Sequence, residues 1–408
     1  MQTRLDSIAL QLPRAAEAEN ILRSCVHCGF CNATCPTYQL LGDELDGPRG
    51  RIYLMKQMFE GAPVTQATQT HLDRCLSCRN CETTCPSGVK YHALLDIGRD
   101  ELARRVPRSA AQKLLRNGLR ALMTRPALFA LLLRIGGLFR PLLPALLRDK
   151  MPLRALPAGR RPTHQHARSV LMLEGCVQPG LSPNTNAATA RVLDKLGISV
   201  VQASGVRCCG AVDYHLDAQD DGLDHARRNI DAWWPAIEAG AEAIVQTASG
   251  CGAFVKEYGH LLAQDTRYAD KARRVSALAL DLVEVLRREP LEQLKCANNA
   301  DDKLAFHCPC TLQHAQKLGG AVENVLRRLG FPLTSVPDAH LCCGSAGTYS
   351  ITQPALSKQL RDNKIAALQS GDPRQIVTAN IGCQVHLAAA AQVPVRHWIE
   401  IVDQAMKA

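Results

Sequence analysis

Aromatic residues occupy only 4% of the 408 positions, too few to stack bases along a groove. No recognised nucleic-acid-binding motif accompanies them, so nucleic acid is excluded as a partner. No GxGxxG follows a strand-like run, and neither GxxxxGK[ST] nor HExxH occurs, so nothing here holds a nicotinamide, a nucleotide phosphate or a protease zinc. Residues 1–20 contain no apolar core of the kind a secretory signal needs, which implies a cytosolic, reduced chain. No apolar run is long enough to cross a bilayer, because Arg125, Arg134, Arg140 and Arg148 interrupt the leucine-rich stretch that comes nearest. With 46% hydrophobic and 21% charged residues the chain is neither disordered nor collagen-like, and at roughly 150 residues per domain its length implies two or three domains.

Cysteine is what the sequence has in surplus, with 18 in all. In a reducing compartment clustered thiols read as metal ligands or redox groups before disulfides. Eight fall before residue 86 and ten after residue 175, and the stretch between them carries the charge. From Arg99 to Arg161 there are thirteen Arg and two Lys against Asp100, Glu101 and Asp149, a net of +12 within an overall +10. This segment is basic, leucine-rich and amphipathic. It suits a solvated linker with helices packed on the body, or contact with an anionic membrane surface or an acidic partner protein. The expected organisation is α+β and multidomain: a mainly helical two-cluster domain over 1–100, a basic linker over 101–165, and two tandem α/β modules over 166–290 and 300–408.

In the first region Cys25-x2-Cys28-x2-Cys31-x3-Cys35-Pro36 recurs as Cys75-x2-Cys78-x2-Cys81-x3-Cys85-Pro86. Three cysteines at successive spacings of three let a tight loop wrap three corners of a cubane, with backbone N–H groups aimed at the sulfurs. The fourth lies past the turn and ligates the other cluster. One 4Fe-4S cluster is thus expected on Cys25, Cys28, Cys31 and Cys85, and another on Cys75, Cys78, Cys81 and Cys35. Structural zinc also uses CxxC pairs, but seldom this triple spacing followed by Cys-Pro, twice. Helices are expected at Ala15 to Ser24, from Pro48 to about Phe59, and after Tyr91, Pro being favourable in a first helical turn.

The second region repeats itself. Cys176 is followed 32 positions later by Cys208-Cys209-Gly210, and Cys310 is followed 32 positions later by Cys342-Cys343-Gly344. Downstream, AIVQT leads to Cys251 and QIVTAN leads to Cys383. Asp281-Leu282-Val283-Glu284 also resembles Glu400-Ile401-Val402-Asp403. Short apolar segments alternating with helical ones are the pattern of βα units, with strands expected near Ser199 to Gln202 and Pro332 to Val336. Each module offers four thiolates: Cys176, Cys208, Cys209 and Cys251 in the first, Cys310, Cys342, Cys343 and Cys383 in the second. Four soft sulfur ligands suit iron–sulfur or zinc. His215, His307, His314 and His340 flank these cysteines as side chains for packing, ligation or proton transfer. Cys296 and Cys308 fall outside the repeat and read as buried or unpaired thiols, and Trp233-Trp234 as helix packing.

With GPRGRIYLMKQM between two ferredoxin motifs and two CCG modules behind, the chain resembles the iron–sulfur subunits of bacterial glycolate oxidases. The ferredoxin and CCG modules are also similar to those of anaerobic glycerol-3-phosphate dehydrogenases, lactate-utilisation systems and heterodisulfide reductases. In the last of these each module ends in CxxC and five cysteines hold a non-cubane cluster. Here Ala248 and Asn380 occupy the first position of those pairs, which points to an ordinary 4Fe-4S site, or to only one filled module. The resemblance implies a subunit of an oxidoreductase complex with no catalytic residue of its own. Glycolate oxidation and FAD would reside in flavoprotein partners, and electrons would pass to a membrane quinone-type acceptor at the inner face of the cytoplasmic membrane. The alternatives are a CCG subunit that itself reduces a disulfide, or an iron–sulfur subunit serving glycerol-3-phosphate or lactate.

Overall fold

The computed structural model describes residues 1–142, 156–299 and 301–406; the part of the basic segment containing Arg148 lies outside them. The chain forms two compact units that do not follow sequence order. One comprises Met1–Arg116 with His340–Leu360, the other Asn117–Ala339 with Arg361–Ala408.

In the first unit helices Ala15–Ser24, Pro48–Phe59, Gln66–Asp73 and Tyr91–Arg105 enclose the core. Local sequence fixes their ends. Pro48 supplies the helical φ at a position whose N–H has no partner to lose, and the Thr65 side chain accepts from Ala67 N at 3.2 Å. Leu22, Met55, Met58, Phe59, Leu72, Leu94 and Leu95 are wholly buried, each worth about 1.5–3 kcal/mol relative to exposure. The expected helices at Ala15, Pro48 and Tyr91 form at those positions.

The second unit contains two parallel sheets. Strands β1 (Arg168–Leu173), β2 (Ile198–Val201), β3 (Ile244–Gln246) and β4 (Ala279–Asp281) lie in the order β2-β1-β3-β4. Leu171 pairs with Ile244, and Ile244 with Ala279. Strands β5 (Leu304–His307), β6 (Gln375–Thr378) and β7 (Val395–His397) lie in sequence order. These strands are short apolar runs because parallel sheets bury both faces. The strand expected over Pro332 to Val336 does not form. Among the described residues a single bridge, Leu333 to Leu304, stands where β2 stands in the other sheet. Pro332 and Pro337 have no N–H to give a ladder, and Leu304 N to Pro332 O at 2.8 Å with Thr334 N to Leu304 O at 2.9 Å is all that remains.

The two modules share one core in which Val170, Val192, Leu304, Leu326, Val377 and Trp398 are buried together. Across it Arg191 forks onto Asp403 at 2.8 and 2.7 Å. Ser182 and Thr185 donate to the buried Glu400 carboxylate at 2.9 and 2.6 Å. The repeat at the tail is shifted from the register its sequence suggests. Asp281 caps the helix after β4 by accepting from Val283 N at 3.2 Å. His397, not Glu400, performs that task after β7, accepting from Ile399 N at 3.3 Å.

Candidate iron–sulfur centres

Both ferredoxin loops are built alike. Cys25 ends the helix Ala15–Ser24, Cys31 lies on the short helix Phe30–Ala33, and Cys35 precedes Pro36 at the start of Pro36–Leu41. In the second loop Cys75 follows Gln66–Asp73, Cys81 lies on Asn80–Thr84, and Cys85 ends that helix. Left-handed residues turn each loop, His27 and Gly29 in one and Ser77 and Arg79 in the other. This curls the backbone around the sulfurs, and Ser77 N donates to Cys75 Sγ at 3.4 Å.

The loops line two neighbouring cavities that open to solvent. The first is lined by Cys25, Cys28, Cys31 and Cys85. The second is lined by Cys35, Cys75, Cys78 and Cys81. Each loop's fourth cysteine therefore faces the other loop's cavity, and Cys81 borders both. Burial pushes the Cys31 thiol up to about 11, with the Cys25 charge adding to it. Burial raises Cys25 and Cys81 as well, reinforced at Cys81 by Cys78 and Cys75. Such crowded thiols cannot all ionise without cationic metal among them, and four of them around a hollow fit a cubane cluster.

The GPRGR stretch holds the loops in place. A Cβ on Gly50 would stand 2.1 Å from Glu44 O, so only glycine lets the helix Pro48–Phe59 seat against the preceding turn. Arg49 pairs with Glu44 at 2.6 Å. Arg51 is buried, donating to His71 O at 2.7 Å and Thr37 Oγ1 at 3.1 Å and facing Asp46 at 3.4 Å.

The first cysteine-rich module gathers Cys176, Cys208, Cys209 and Cys251 at the carboxyl ends of β1 and β3. Here the strand order reverses, which is where open parallel sheets present their crevice. Cys251 lies on the first turn of the helix Ser249–Lys256. The thiols touch one another. Cys176 is pushed up by its bond to Cys208 and by burial, and Cys209 by its bonds to Cys208 and Cys251. Cys208 is held well below the usual thiol range by donors from Cys176 and Cys209, aided by Gly210 N at 3.5 Å. Asn229 Nδ2 donates to Cys208 O at 2.9 Å and Tyr258 OH to Cys209 O at 2.5 Å, fixing the CCG backbone. Gly210 sits at φ +100°, and a Cβ there would stand 2.3 Å from Gly222 O.

In the second module Cys310 follows β5 and Cys383 lies on the first turn of Ile381–Ala388, both in the second unit. Cys342 and Cys343 lie in the first unit. Gly344 N points to Cys342 Sγ at 3.4 Å, and Ser357 Oγ donates to Gly344 O at 2.7 Å. Asn380, which replaces a cysteine of the CxxC pattern, donates to Cys383 Sγ at 3.5 Å. His307 takes the position that Leu173 has in the first module. It is buried, neither ring nitrogen has a hydrogen-bond partner among the described residues, and one of them lies within 4.8 Å of the Cys383 sulfur. Burial pushes its pKa well down, so the imidazole is neutral and suited to a metal. Sequence alone placed His307 among four flanking histidines with no means of preferring it. His215 instead packs edge-on against Tyr214 and Phe254. Trp233 is buried in the first module's core, while Trp234 lies under Lys271 and Arg274. Cys308 is buried and Cys296 half-buried.

Paired cubane loops followed by two cysteine-lined α/β modules define a dicluster iron–sulfur protein with tandem cysteine-rich domains. Family models agree with this: a 4Fe-4S dicluster domain matches residues 21–89, and a cysteine-rich domain matches 170–256 and 304–388. The chain is 68% identical to the glycolate oxidase iron-sulfur subunit of Escherichia coli over the full length of both. It is 30% identical to a probable glycolate oxidase iron-sulfur subunit of Bacillus subtilis, over 90% of this chain and 89% of the other. Lactate utilization protein A of Bacillus velezensis is 27% identical over 56% of this chain and 96% of its own length. The chain belongs to the family of glycolate oxidase iron-sulfur subunits.

Proposed function

We propose that this chain carries electrons one at a time from a flavoprotein partner, which oxidises glycolate to glyoxylate, toward a quinone-type acceptor at the membrane. The observation that carries the reading is the pair of adjacent cavities with crossed fourth cysteines and Cys81 on both. Cys25, Cys28, Cys31 and Cys85 would hold one 4Fe-4S cluster, and Cys75, Cys78, Cys81 and Cys35 the other. Cys176, Cys208, Cys209 and Cys251 offer a further site, and the sequence repeat makes Cys310, Cys342, Cys343 and Cys383 their counterparts. An iron–sulfur cluster supplies one-electron chemistry, while the chain's residues hold it, exclude water and donate hydrogen bonds to its sulfurs. FAD and the glycolate chemistry belong to the partners.

The membrane side of the reading rests on the helices Ala110–Met123 and Pro126–Leu138. No single described helix is long and apolar enough to cross a bilayer. These two bury none of their residues and expose Leu114, Leu131, Leu132 and Leu138, which suits peripheral attachment. Much of the segment's charge is spent internally, with Arg108 on Asp73 at 2.6 Å and Arg120 on Asp213 at 2.8 Å. The leucines therefore carry more of the attachment than net charge suggests.

The test is anaerobic purification, followed by iron and sulfide analysis and EPR of the reduced protein. Two interacting 4Fe-4S signals are expected, and they should reoxidise when a quinone is added to the assembled complex. A colourless, sulfide-free protein would refute the reading.

A further inference from the structure

The two cavities differ in their electrostatics. The arginine beside the first, Arg49, is partly exposed and neutralised by Glu44 at 2.6 Å. The second is lined by Arg51, whose side chain is 1% exposed. Arg51 reaches the cysteines through Thr37: Nη1 donates to Thr37 Oγ1 at 3.1 Å, and that hydroxyl lies 3.3 Å from Cys35 Sγ. Its one carboxylate neighbour among the described residues, Asp46, is shared with Arg74 at 2.7 Å and His71 at 3.1 Å. Asp46 stands closer to the half-exposed Arg74, at 2.7 Å, than to the buried Arg51, at 3.4 Å, so the Arg51 charge is left incompletely compensated beside the second cavity. Tyr91 OH adds a hydrogen bond to Cys75 Sγ at 3.6 Å. Arg79 also lines this cavity but is only half-buried, so solvent screens it.

We propose that Arg51 is a potential-setting residue. Its fixed, water-shielded charge makes the cluster on Cys75, Cys78, Cys81 and Cys35 easier to reduce than the one on Cys25, Cys28, Cys31 and Cys85. This rests on the electron-carrying reading above. Reduction adds one electron to the cluster and no proton to Arg51, whose guanidinium stays charged throughout. Stabilising the added negative charge shifts the couple upward, since net charge and hydrogen bonds to sulfur set such potentials. The electron would then rest beside the Cys342–Cys343 segment, which the first unit holds against this loop. Asn80 Nδ2 donates to His340 O at 3.4 Å and Tyr349 OH to Arg74 O at 3.1 Å.

The test is an EPR-monitored potentiometric titration of the full-length protein, with dithionite as reductant. Wild type, Arg51→Met, Arg51→Lys and Asp46→Asn are compared after iron and sulfide have been counted. Cys35→Ser identifies the signal that belongs to the second cavity. Arg51→Met should lower the reduction constant of that cluster at least tenfold relative to the other, about 59 mV for one electron. Asp46→Asn, which removes the countercharge, should shift the same couple upward, and Arg51→Lys should keep most of the wild-type value. A purely structural residue would not give shifts of opposite sign. Equal movement of both clusters, no movement, the same sign in both variants, or loss of the cluster from both would each overturn the proposal. A wild-type protein without clusters would refute the electron-carrying reading itself. Two clusters with unshifted potentials would refute only the role of Arg51.

Discussion

Replacing Gly210 by alanine separates two contributions to the cysteine-rich site. The residue sits at φ +100°, and an added Cβ would stand 2.3 Å from Gly222 O and 3.2 Å from His225 Cβ. The left-handed backbone alone costs an L-residue about 1–2 kcal/mol. The collision is with a helix backbone that cannot rotate away, and forced repacking of that kind adds about 1–3 kcal/mol. Gly197 provides the control: its φ is +76° and nothing lies within 4 Å of its Cβ position. Gly197→Ala should therefore lose about 1–2 kcal/mol, and Gly210→Ala about 2–5 kcal/mol. Anaerobic urea unfolding followed by circular dichroism measures both. If Gly210→Ala proves no less stable than Gly197→Ala, the close approach of the CCG turn to the helix Gln219–Glu238 is refuted.

Cys85→Ser should abolish the EPR signal of the cluster on the Cys25 loop and spare the other, while Cys35→Ser should do the reverse; loss from the mutated residue's own loop would refute crossed ligation. Burial raises the Asp281 carboxyl to about 7, with backbone donation from Val283 and the charge of Lys256 opposing and Glu284 reinforcing. The folded state then binds the extra proton between about pH 4 and 7, so this group's contribution to stability falls as pH rises through that window and levels off above it. The difference between wild type and Asp281→Asn should show that slope, roughly 4 kcal/mol in total, and a flat difference would refute it. Leu131→Asp with Leu138→Asp should release the protein from anionic vesicles in a flotation assay while leaving iron content unchanged; retention on the vesicles would refute the attachment surface.

Sequence spacing carried most of the candidate site. The triple cysteine spacing already implied two loops with exchanged fourth ligands, because a tight turn leaves its last cysteine pointing away. The CCG repeat implied twin βα modules, because periodic apolar runs mark strands. Other features depend on tertiary context. The segment Pro332 to Val336 looks β-prone, yet its flanking prolines leave one bridge where a strand was expected. The tail repeat is out of register because capping, not residue similarity, decides equivalence: His397 and Asp281 do the same work with unlike side chains. Arg51 reads from sequence as one basic residue among 48 lysines and arginines, and only its burial separates it. His307 likewise emerges from its neighbours only when the strand end places it near Cys383.

The grouping of His340–Leu360 with Met1–Arg116 bears on how the polypeptide matures during synthesis. The loop around Cys75 can fold early, but Tyr349, which donates to Arg74 O, is added 275 residues later. No residue lining either cavity comes from this later segment, so iron inserted as the N-terminal region leaves the ribosome would meet both cavities already lined. What His340–Leu360 adds afterwards is an outer brace, through Tyr349 on Arg74 and His340 on Asn80.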